Sequence, residues 1–286
     1  MSSAQAHDAP SAILVNGVAA PTLDARDRGL HFGDGLFETI ACPGGRPRLL
    51  DWHLERLAAG CARLAIELPD PALLRAEIIG LAGASETSLL KLIVTRGIAT
   101  VRGYGARGDE RSTRILLRYP WPAERPEWTR EGVALRTSAL RLGENPALAG
   151  LKHLNRLEQI LARAEWSDPA IQESLLLSSS GRLVSGTMSN VFLVHEMRLA
   201  TPRLDRCGVA GVMRRAVMSA ALRAGIAVEE TELDAAALAG ARELFLTNAR
   251  VGIWPARSLD GRVLEVGSVT RRVQQALAPI LEGVGA

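Results

Sequence analysis

Apolar residues in the first third of the chain fall into short continuous runs separated by turn residues. Residues 12–15 are apolar, Asn16-Gly17 is a strong turn signal and residues 18–23 follow as a second extended run. Such a run–turn–run pattern predicts a β-hairpin. Residues 36–42 form another strand-like run, which ends at a turn of Pro43, Gly44 and Gly45.

Helical spacing follows this strand. Asp51 is a suitable N-cap for a helix over 52–66, with a buried stripe composed of Trp52, Leu57, Cys61 and Leu64. A second helix is predicted over 71–81, and the apolar run 89–95 predicts a strand that contains Lys91.

Residues 119–128 carry three prolines and two tryptophans and interrupt the pattern. Beyond them the chain again mixes strands and helices: strand 133–137, helix 154–166, hairpin-like segments 174–185 and 190–199, and helix 212–224. The predicted class is therefore α+β with two domains. We place a smaller N-terminal domain at 1–120, a Pro-rich linker at 121–130 and a larger C-terminal domain at 131–286.

Composition narrows the possible functions. Hydrophobic residues make up 47%, charged residues 23%, and the net charge is +3 with scattered basic residues, which argues against nucleic-acid binding. Apolar stretches are too short for a membrane span, and the polar first ten residues do not read as a signal peptide. Three cysteines without CxxC spacing indicate reduced thiols in a cytoplasmic protein, and five scattered histidines predict no metal site.

Lysine usage is more informative. Of 34 basic residues, 32 are Arg, and the two Lys are Lys91 and Lys152. Where Arg supplies every ordinary positive charge, a retained Lys is a candidate for chemistry that needs a neutral amine. The alternative is that both residues simply escaped replacement. Lys152 precedes the predicted helix, whose positive dipole end would favour the neutral amine, although an ordinary solvated Lys fits the same position.

Other residues suit an anionic ligand. Arg56 lies inside the first long helix, and Gly208 and Gly211 precede a helix whose first N–H groups can bind an anion. Arg96 and Arg102 lie in a Gly-rich segment that could hold a carboxylate. Each also has a plainer interpretation, as a salt bridge, a turn or a solvated loop charge.

Three passages together resemble a known family: DRGLHFGDGLFET at 27–39, RLGENP at 141–146 and LAGLKHLNRLEQ at 148–159. In order and spacing they resemble the fold-type IV enzymes that use pyridoxal 5′-phosphate (PLP), over about residues 12 to 280. The third passage is most similar to the 4-amino-4-deoxychorismate lyases within that family.

The resemblance implies specific roles. Lys152 would hold PLP covalently and move protons, Arg56 would bind the cofactor phosphate, and Val212 and Met213 would assist through their backbone N–H groups. Asn248 would be a further phosphate contact. Arg102 and Tyr104 match positions where the family holds a substrate carboxylate, and His31 is a further substrate candidate. The family forms homodimers with the active site near the subunit interface.

One position departs from the family pattern. Ser185 stands where relatives carry a Glu that hydrogen-bonds the pyridine nitrogen of PLP. A carboxylate keeps that nitrogen protonated and the ring electron-withdrawing, whereas a hydroxyl cannot compensate a full charge. We hypothesise that Ser185 favours lyase over transaminase chemistry. Glu173, on a neighbouring strand, is an alternative partner for the nitrogen.

The expected activity is thus a PLP-dependent lyase that converts 4-amino-4-deoxychorismate to 4-aminobenzoate and pyruvate. The alternative on the same scaffold is an aminotransferase of D- or branched-chain amino acids. A third possibility is a protein that kept the fold and lost its chemistry, for which Ser185 is the one argument.

Overall fold

The computed structural model describes residues 9–19, 22–83, 86–99, 101–123 and 125–282. These residues form two compact units. The first contains the chain up to Ala123 together with Lys152–Asn155, and the second contains the rest. The division falls inside the segment predicted as a linker. The short piece around Lys152, which the sequence assigned to the C-terminal domain, belongs instead to the first unit.

The first unit is built on an antiparallel sheet. Its elements are β1 (Ala12–Val15), α1 (Arg28–Phe32), β2 (Gly35–Cys42), α2 (Leu50–Leu64), α3 (Pro71–Ala82), β3 (Ser88–Thr95) and β4 (Thr113–Pro120). The strand order is β1-β4-β3-β2. β1 therefore pairs with β4, and among the described residues of the predicted hairpin partner at 18–23, Val18 forms a single bridge with Val15. Residues 20 and 21 of that predicted strand lie outside the described residues.

α2 begins earlier than predicted. Its N-cap is Leu49, in the left-handed region at φ 54°, so Asp51 lies in the first turn rather than at the cap. An acidic residue there still favours the helix because it faces the positive dipole end. The buried side of α2 carries Leu57 and Cys61, as predicted, and it also carries His53. This polar residue on the core side of α2 becomes important for the site.

The second unit contains a larger mixed sheet. Its elements are α4 (Pro126–Arg130), β5 (Val133–Leu142), α5 (Leu157–Arg163), β6 (Glu173–Ser178), β7 (Leu183–Gly186), β8 (Asn190–His195), β9 (Arg198–Pro202), α6 (Val212–Arg223), β10 (Val228–Thr231), α7 (Ala235–Gly240), β11 (Glu243–Asn248), β12 (Gly252–Leu259), β13 (Arg262–Val263) and α8 (Ser268–Leu281). The strand order is β10-β9-β8-β11-β12-β5-β6-β7, with β13 paired to β12.

The centre of this sheet is buried on both faces. In the β8–β11 register Phe192 lies opposite Phe245, and their rings stack with centroids 5.0 Å apart. Their neighbours Val191 and Leu246 point to the other face and are also fully buried. Strands buried on both faces read as continuous apolar runs rather than alternating ones, which explains the pattern at 191–194.

Two predicted boundaries are wrong. The helix predicted at 154–166 is α5, which starts only at Leu157 and ends at Arg163. Lys152 is therefore not adjacent in sequence to a helix start. The predicted effect of a helix dipole on its amine does not apply, because that effect is confined to the first turn. The Pro-rich segment is also less irregular than predicted, because Pro126 starts α4. Within the described part of the chain, no helix is long and apolar enough to cross a membrane.

Candidate active site

Lys152 lies against the edge strand β2 of the first unit. Its carbonyl accepts a hydrogen bond from the Phe37 N–H at 2.9 Å, and the Leu154 N–H donates to the Gly35 carbonyl at 3.0 Å. His153 forms an antiparallel bridge with Leu36 between these bonds. The segment thus runs beside β2 as a short extended piece, which fixes the backbone of Lys152 and the direction of its side chain.

The two lysines of the chain meet at one aromatic ring. The Nζ atom of Lys152 is 4.1 Å from the centroid of the Phe37 ring, and that of Lys91 is 5.4 Å from the same centroid. A ring face attracts an ammonium at such distances. Phe37 therefore favours one position of the Lys152 amine. Lys91 provides a second amine near the same ring.

A buried carboxylate lies next to Phe37 in the same strand. Glu38 is 1% exposed, and its Oε2 atom is 2.6 Å from Nδ1 of His53, which is also 1% exposed. Burial alone would raise the pKa of Glu38, but the charge of Arg56, the charge that His53 carries when it is protonated, and the hydrogen bonds from both residues lower it to about 2. Glu38 is therefore ionised at neutral pH.

His53 has the opposite balance. Burial lowers its pKa; Glu38 opposes this shift, while the positive charges of Arg56 and Lys152 reinforce it. The imidazole is thus uncharged at neutral pH and donates Nδ1–H to the carboxylate.

Arg56 completes the cluster from the same face of α2. Its Nε donates to Oε1 of Glu38 at 2.8 Å, and its Nη2 donates to Oε2. This two-point contact fixes the plane of the guanidinium. Because α2 places His53 and Arg56 three residues apart, both reach the one carboxylate. The structure thus brings Lys152, Phe37, Glu38 and the predicted phosphate ligand Arg56 into one region of the first unit.

The predicted substrate residues lie elsewhere in the first unit, around Phe32. Tyr104 is 86% exposed, and its ring centroid is 5.3 Å from that of Phe32. The ring of His31 meets Phe32 edge-on at 5.7 Å, and its Nε2 is 2.7 Å from the Ala25 carbonyl oxygen. Arg102 is exposed in the same loop as Tyr104. His31 and Tyr104 are therefore brought together on one aromatic ring.

Arg96, the other basic candidate near that loop, has a structural role. Its Nε donates to Asp34 at 2.8 Å, and its Nη atoms donate to the carbonyls of Leu64 and Ala65 at the end of α2. Those carbonyls have no partner within the helix, so Arg96 caps it.

In the second unit, Ser185 lies on β7 opposite Leu176 and is 8% exposed. Glu173, its proposed substitute, is occupied. One carboxylate oxygen of Glu173 accepts from the Thr187 hydroxyl at 2.5 Å and the Thr187 N–H at 3.1 Å. The other accepts from the Met188 N–H and the Ser189 hydroxyl, both at 3.2 Å. Glu173 therefore holds the 187–189 turn, and this argues against its pairing with a cofactor nitrogen.

The start of α6 offers backbone donors. Its N-cap is Gly211, and no side chain caps the first N–H groups, which include those of Val212 and Met213. A Cβ at Gly211 would lie 2.1 Å from Oδ1 of Asn190, so glycine permits the close approach of that side chain. Asn190 in turn donates to the Val209 carbonyl at 2.8 Å. An uncapped helix start fits an anion such as phosphate.

Asn248 ends β11, and its side chain serves the following turn. Its Oδ1 accepts from the N–H groups of Arg250 and Val251, both at 3.0 Å, and its Nδ2 donates to the Met188 carbonyl at 3.4 Å. Asn248 thus borders the 187–189 turn in the second unit. Its role as a phosphate contact stays a prediction.

Glu38, Phe37 and His53 are not among the site residues predicted from the sequence. One signal was present: Glu38 is the one charged residue in an otherwise strand-like run at 36–42. A charge inside an apolar strand requires a partner. Nothing in the sequence identified that partner, because His53 and Arg56 reach it only through the packing of α2 on β2. Among the described residues no group of His, Cys, Asp and Glu could hold a metal ion.

The chain is similar to enzymes of known activity and structure. The chain is 48% identical to the crystal structure of 4-amino-4-deoxychorismate lyase from Pseudomonas aeruginosa, with a TM-score of 0.88 over 93% of this chain and 97% of that one. It is 31% identical to the aminodeoxychorismate lyase of Vibrio harveyi, covering 91% of this chain and 97% of that protein. It is 28% identical to the D-alanine aminotransferase of Bacillus licheniformis, covering 89% and 90%.

Lyases and aminotransferases therefore share this fold. Of these three proteins, the two lyases have the higher sequence identity to this chain. Residues 35–259 match the amino-transferase class IV family, a range that includes β2, α2, Lys152 and the sheet of the second unit except its last strand. The chain belongs to the amino-transferase class IV family.

Proposed function

We propose that this protein is a PLP-dependent lyase that converts 4-amino-4-deoxychorismate to 4-aminobenzoate and pyruvate. The observation that carries the proposal is the position of the Lys152 amine, 4.1 Å from the Phe37 ring centroid and near enough to His53 of the Glu38 cluster for its charge to lower the pKa of that ring. The lyase from Pseudomonas aeruginosa, at 48% identity, is the comparison that supports the substrate.

PLP, when bound, supplies an aldehyde that condenses with amines and a ring that accepts electron density. Lys152 would hold this aldehyde and act as the base. After the substrate amine has displaced Lys152 from the aldehyde, the freed Lys152 amine would take the ring proton from the substrate carbon that bears the nitrogen. Enolpyruvate would leave from the neighbouring carbon as the ring becomes aromatic, and a proton returned to it would give pyruvate. Contact with the Phe37 ring would limit the positions of the Lys152 amine, so that it takes the proton from one face of the substrate ring.

The described residues fit the cofactor in two respects. Arg56 is held in a fixed plane by Glu38, as a guanidinium that binds phosphate requires. In the second unit, the N–H groups of Val212 and Met213 begin α6 without a side-chain cap. Ser185 would face the pyridine nitrogen, and Arg102, Tyr104 and His31 would hold the substrate, as the family resemblance implies.

We further infer that the protein is a homodimer. Four large apolar side chains of the second unit form an exposed patch, the α5 patch: Leu157 at 73%, Ile160 at 61%, Leu161 at 60% and Met188 at 55% exposure. Ile160 and Met188 line one shallow pocket. A contiguous apolar surface of this kind marks an interface, and a second copy is the partner that the family resemblance predicts. A cytoplasmic location also stays a prediction.

Product analysis tests the proposed activity. Purified protein supplied with PLP and 4-amino-4-deoxychorismate should release equal amounts of pyruvate and 4-aminobenzoate without any added keto acid. An aminotransferase would require a keto acid as amino acceptor and would not release pyruvate from this substrate. Formation of a new amino acid only when a keto acid is present would therefore contradict the lyase proposal.

Covalent labelling tests the lysine independently of turnover. Borohydride reduction of the holoprotein, followed by peptide mass analysis, should place the phosphopyridoxyl group on Lys152. Lys152→Ala should remove the label and reduce activity by about 10³-fold or more. Lys91→Ala is the matched control, because Lys91 is the other lysine beside Phe37. A label on Lys91 would reject Lys152 as the attachment site.

A further inference from the structure

Arg28 is a buried arginine whose partners are unusual. Its side chain is 5% exposed, and its Nε donates to Asp34 at 2.8 Å. Its Nη1 donates to the carbonyls of Gly103 and Gly105, at 3.2 and 3.1 Å, and its Nη2 donates to the Tyr104 carbonyl at 3.0 Å. Three successive carbonyls of one loop thus converge on a single guanidinium.

The backbone of the loop is shaped for this contact. Gly103 has φ 94°, in the left-handed region that glycine adopts readily and other residues rarely do. A Cβ at this position would meet no neighbouring atom within 4 Å. Glycine is therefore required here for its backbone conformation and not to avoid a steric clash. Further along the loop, the Glu110 carboxylate accepts from the N–H groups of Arg107 and Gly108, at 2.7 and 2.9 Å. The loop is therefore held at two places.

Charge makes the contact obligatory for Arg28. Asp34 pairs with both Arg28 and Arg96, each at 2.8 Å, so one carboxylate serves two guanidiniums. Burial alone would raise the pKa of Asp34, but its bonds to the two arginines lower it, so the carboxylate is ionised at neutral pH. A carboxylate that is shared by two guanidiniums does not satisfy all the N–H groups of the buried Arg28 side chain. The three loop carbonyls accept the hydrogen bonds that Asp34 leaves unmade.

Arg28 also reaches Tyr104 through Phe32. The Cζ atom of Arg28 is 5.1 Å from the Phe32 ring centroid, and the Phe32 ring lies 5.3 Å from that of Tyr104. The backbone of Tyr104 is thus held by the guanidinium, and its exposed ring is steadied by an aromatic neighbour that the same guanidinium contacts.

We propose that Arg28 is a positioning residue for the substrate: it fixes the 103–105 loop so that the side chains of Arg102 and Tyr104 are presented in one conformation. This inference rests on the proposed function for the identity of the substrate, a dicarboxylate, but not for the clamp itself. A loop fixed before binding loses less conformational entropy when it engages a carboxylate, so the clamp strengthens substrate binding more than it speeds the chemical step.

The clamp can be measured without turnover, because Arg102 and Arg107 are exposed trypsin sites inside the loop. Arg28→Gln removes the guanidinium, and cleavage after Arg102 or Arg107, followed by intact-mass analysis, should become about tenfold faster. Arg28→Lys should restore this only in part, since one ammonium cannot span three carbonyls and Asp34. Arg96→Gln is the matched control: it removes the other partner of Asp34 and leaves the loop carbonyls bound, so cleavage should stay within about twofold of wild type.

If Arg28→Gln does not fold, Gly103→Ala tests the same contact, because it disfavours the φ of 94° without unpairing a buried charge. It should also accelerate cleavage about tenfold. With 4-amino-4-deoxychorismate, both variants should raise KM about tenfold and change kcat less than about threefold. Unchanged cleavage in the folded variants, or equal acceleration in Arg96→Gln, would overturn the clamp. Absence of pyruvate from the wild-type protein would reject the proposed function while leaving the proteolysis result to decide on Arg28.

Discussion

Glu38 and His53 form a buried pair in which Oε2 of the carboxylate lies 2.6 Å from Nδ1 of the ring, with both residues 1% exposed. The pair joins the middle of β2 to the buried face of α2 within the first unit. Because Arg56 shares the carboxylate, the orientation of the predicted phosphate ligand depends on a residue that need not touch the phosphate itself.

Replacing Glu38 should therefore be costly. Glu38→Gln keeps the shape of the side chain but leaves Arg56 without its anionic partner, and removal of one member of a buried pair costs about 3–5 kcal/mol. Urea unfolding of the apoprotein measures this loss. Glu86→Gln is the matched control, since Glu86 pairs with Arg118 on the surface and is 75% exposed; such a pair contributes at most about 1 kcal/mol. Equal losses in the two variants would contradict the buried-pair argument.

The same pair predicts a pH dependence. Folding lowers the pKa of Glu38 from 4.5 to about 2, so the stability that its charge contributes is complete above pH 4.5 and is lost as the pH falls towards 2. The difference in unfolding free energy between wild type and Glu38→Gln should be largest near neutral pH and should shrink across this window. A difference that stays constant down to about pH 3 would show that the lost contribution is not the carboxylate charge.

Ser185 bears on the choice of reaction. Ser185→Glu would place a carboxylate where the resemblance predicts the pyridine nitrogen, which strengthens the ring as an electron acceptor and should raise transaminase side activity with D-alanine about tenfold. Ser185→Gln is the control, because it has the same size without the charge. A rise in both variants would point to space rather than charge, and no rise in Ser185→Glu would refute the hypothesis.

Much of the first unit follows from local pattern. The strands at 36–42 and 89–95, the helix at 71–81 and the turn at Asn16-Gly17 agree closely with the observed elements, because each has a strong local signal. The start of α2 was misplaced, since Leu49 adopts a left-handed conformation that apolar residues rarely take. Only tertiary contacts stabilise such a residue, and a single sequence does not record them.

The candidate site was predicted less completely than the secondary structure of the first unit. Lys152 stood out because arginine replaces lysine nearly everywhere else in the chain. The Glu38 cluster and the Arg28 clamp did not, because each joins residues from separate elements through packing. The alternative role of Glu173 could not be judged from the sequence either. Only the structure shows that residues of the 187–189 turn donate hydrogen bonds to both oxygens of its carboxylate.

The α5 patch predicts the oligomeric state. Ile160→Glu introduces a charge into an exposed apolar surface, which should convert a dimer to a monomer in light scattering at micromolar concentration. Leu222→Glu is the matched control, since Leu222 is 60% exposed on α6 in the same unit, against 61% for Ile160, and lies outside the patch. Dissociation by Leu222→Glu alone, or a wild-type protein that is already monomeric, would reject the patch as the interface.

The start of α6 yields a prediction that separates packing from cofactor binding. In Gly211→Ala the added methyl group would lie 2.1 Å from Oδ1 of Asn190, so this side chain must move and release the Val209 carbonyl. Such overpacking should cost about 1–3 kcal/mol and shift the N–H groups of Val212 and Met213, which should weaken PLP binding about tenfold in a fluorescence titration. Gly240→Ala, at a helical glycine with no atom within 4 Å of the added group, should leave both quantities nearly unchanged. If Gly211→Ala lowers stability but binds PLP as tightly as wild type, phosphate binding does not depend on the close approach of Gly211 to Asn190, and the predicted contribution of the Val212 and Met213 N–H groups is rejected.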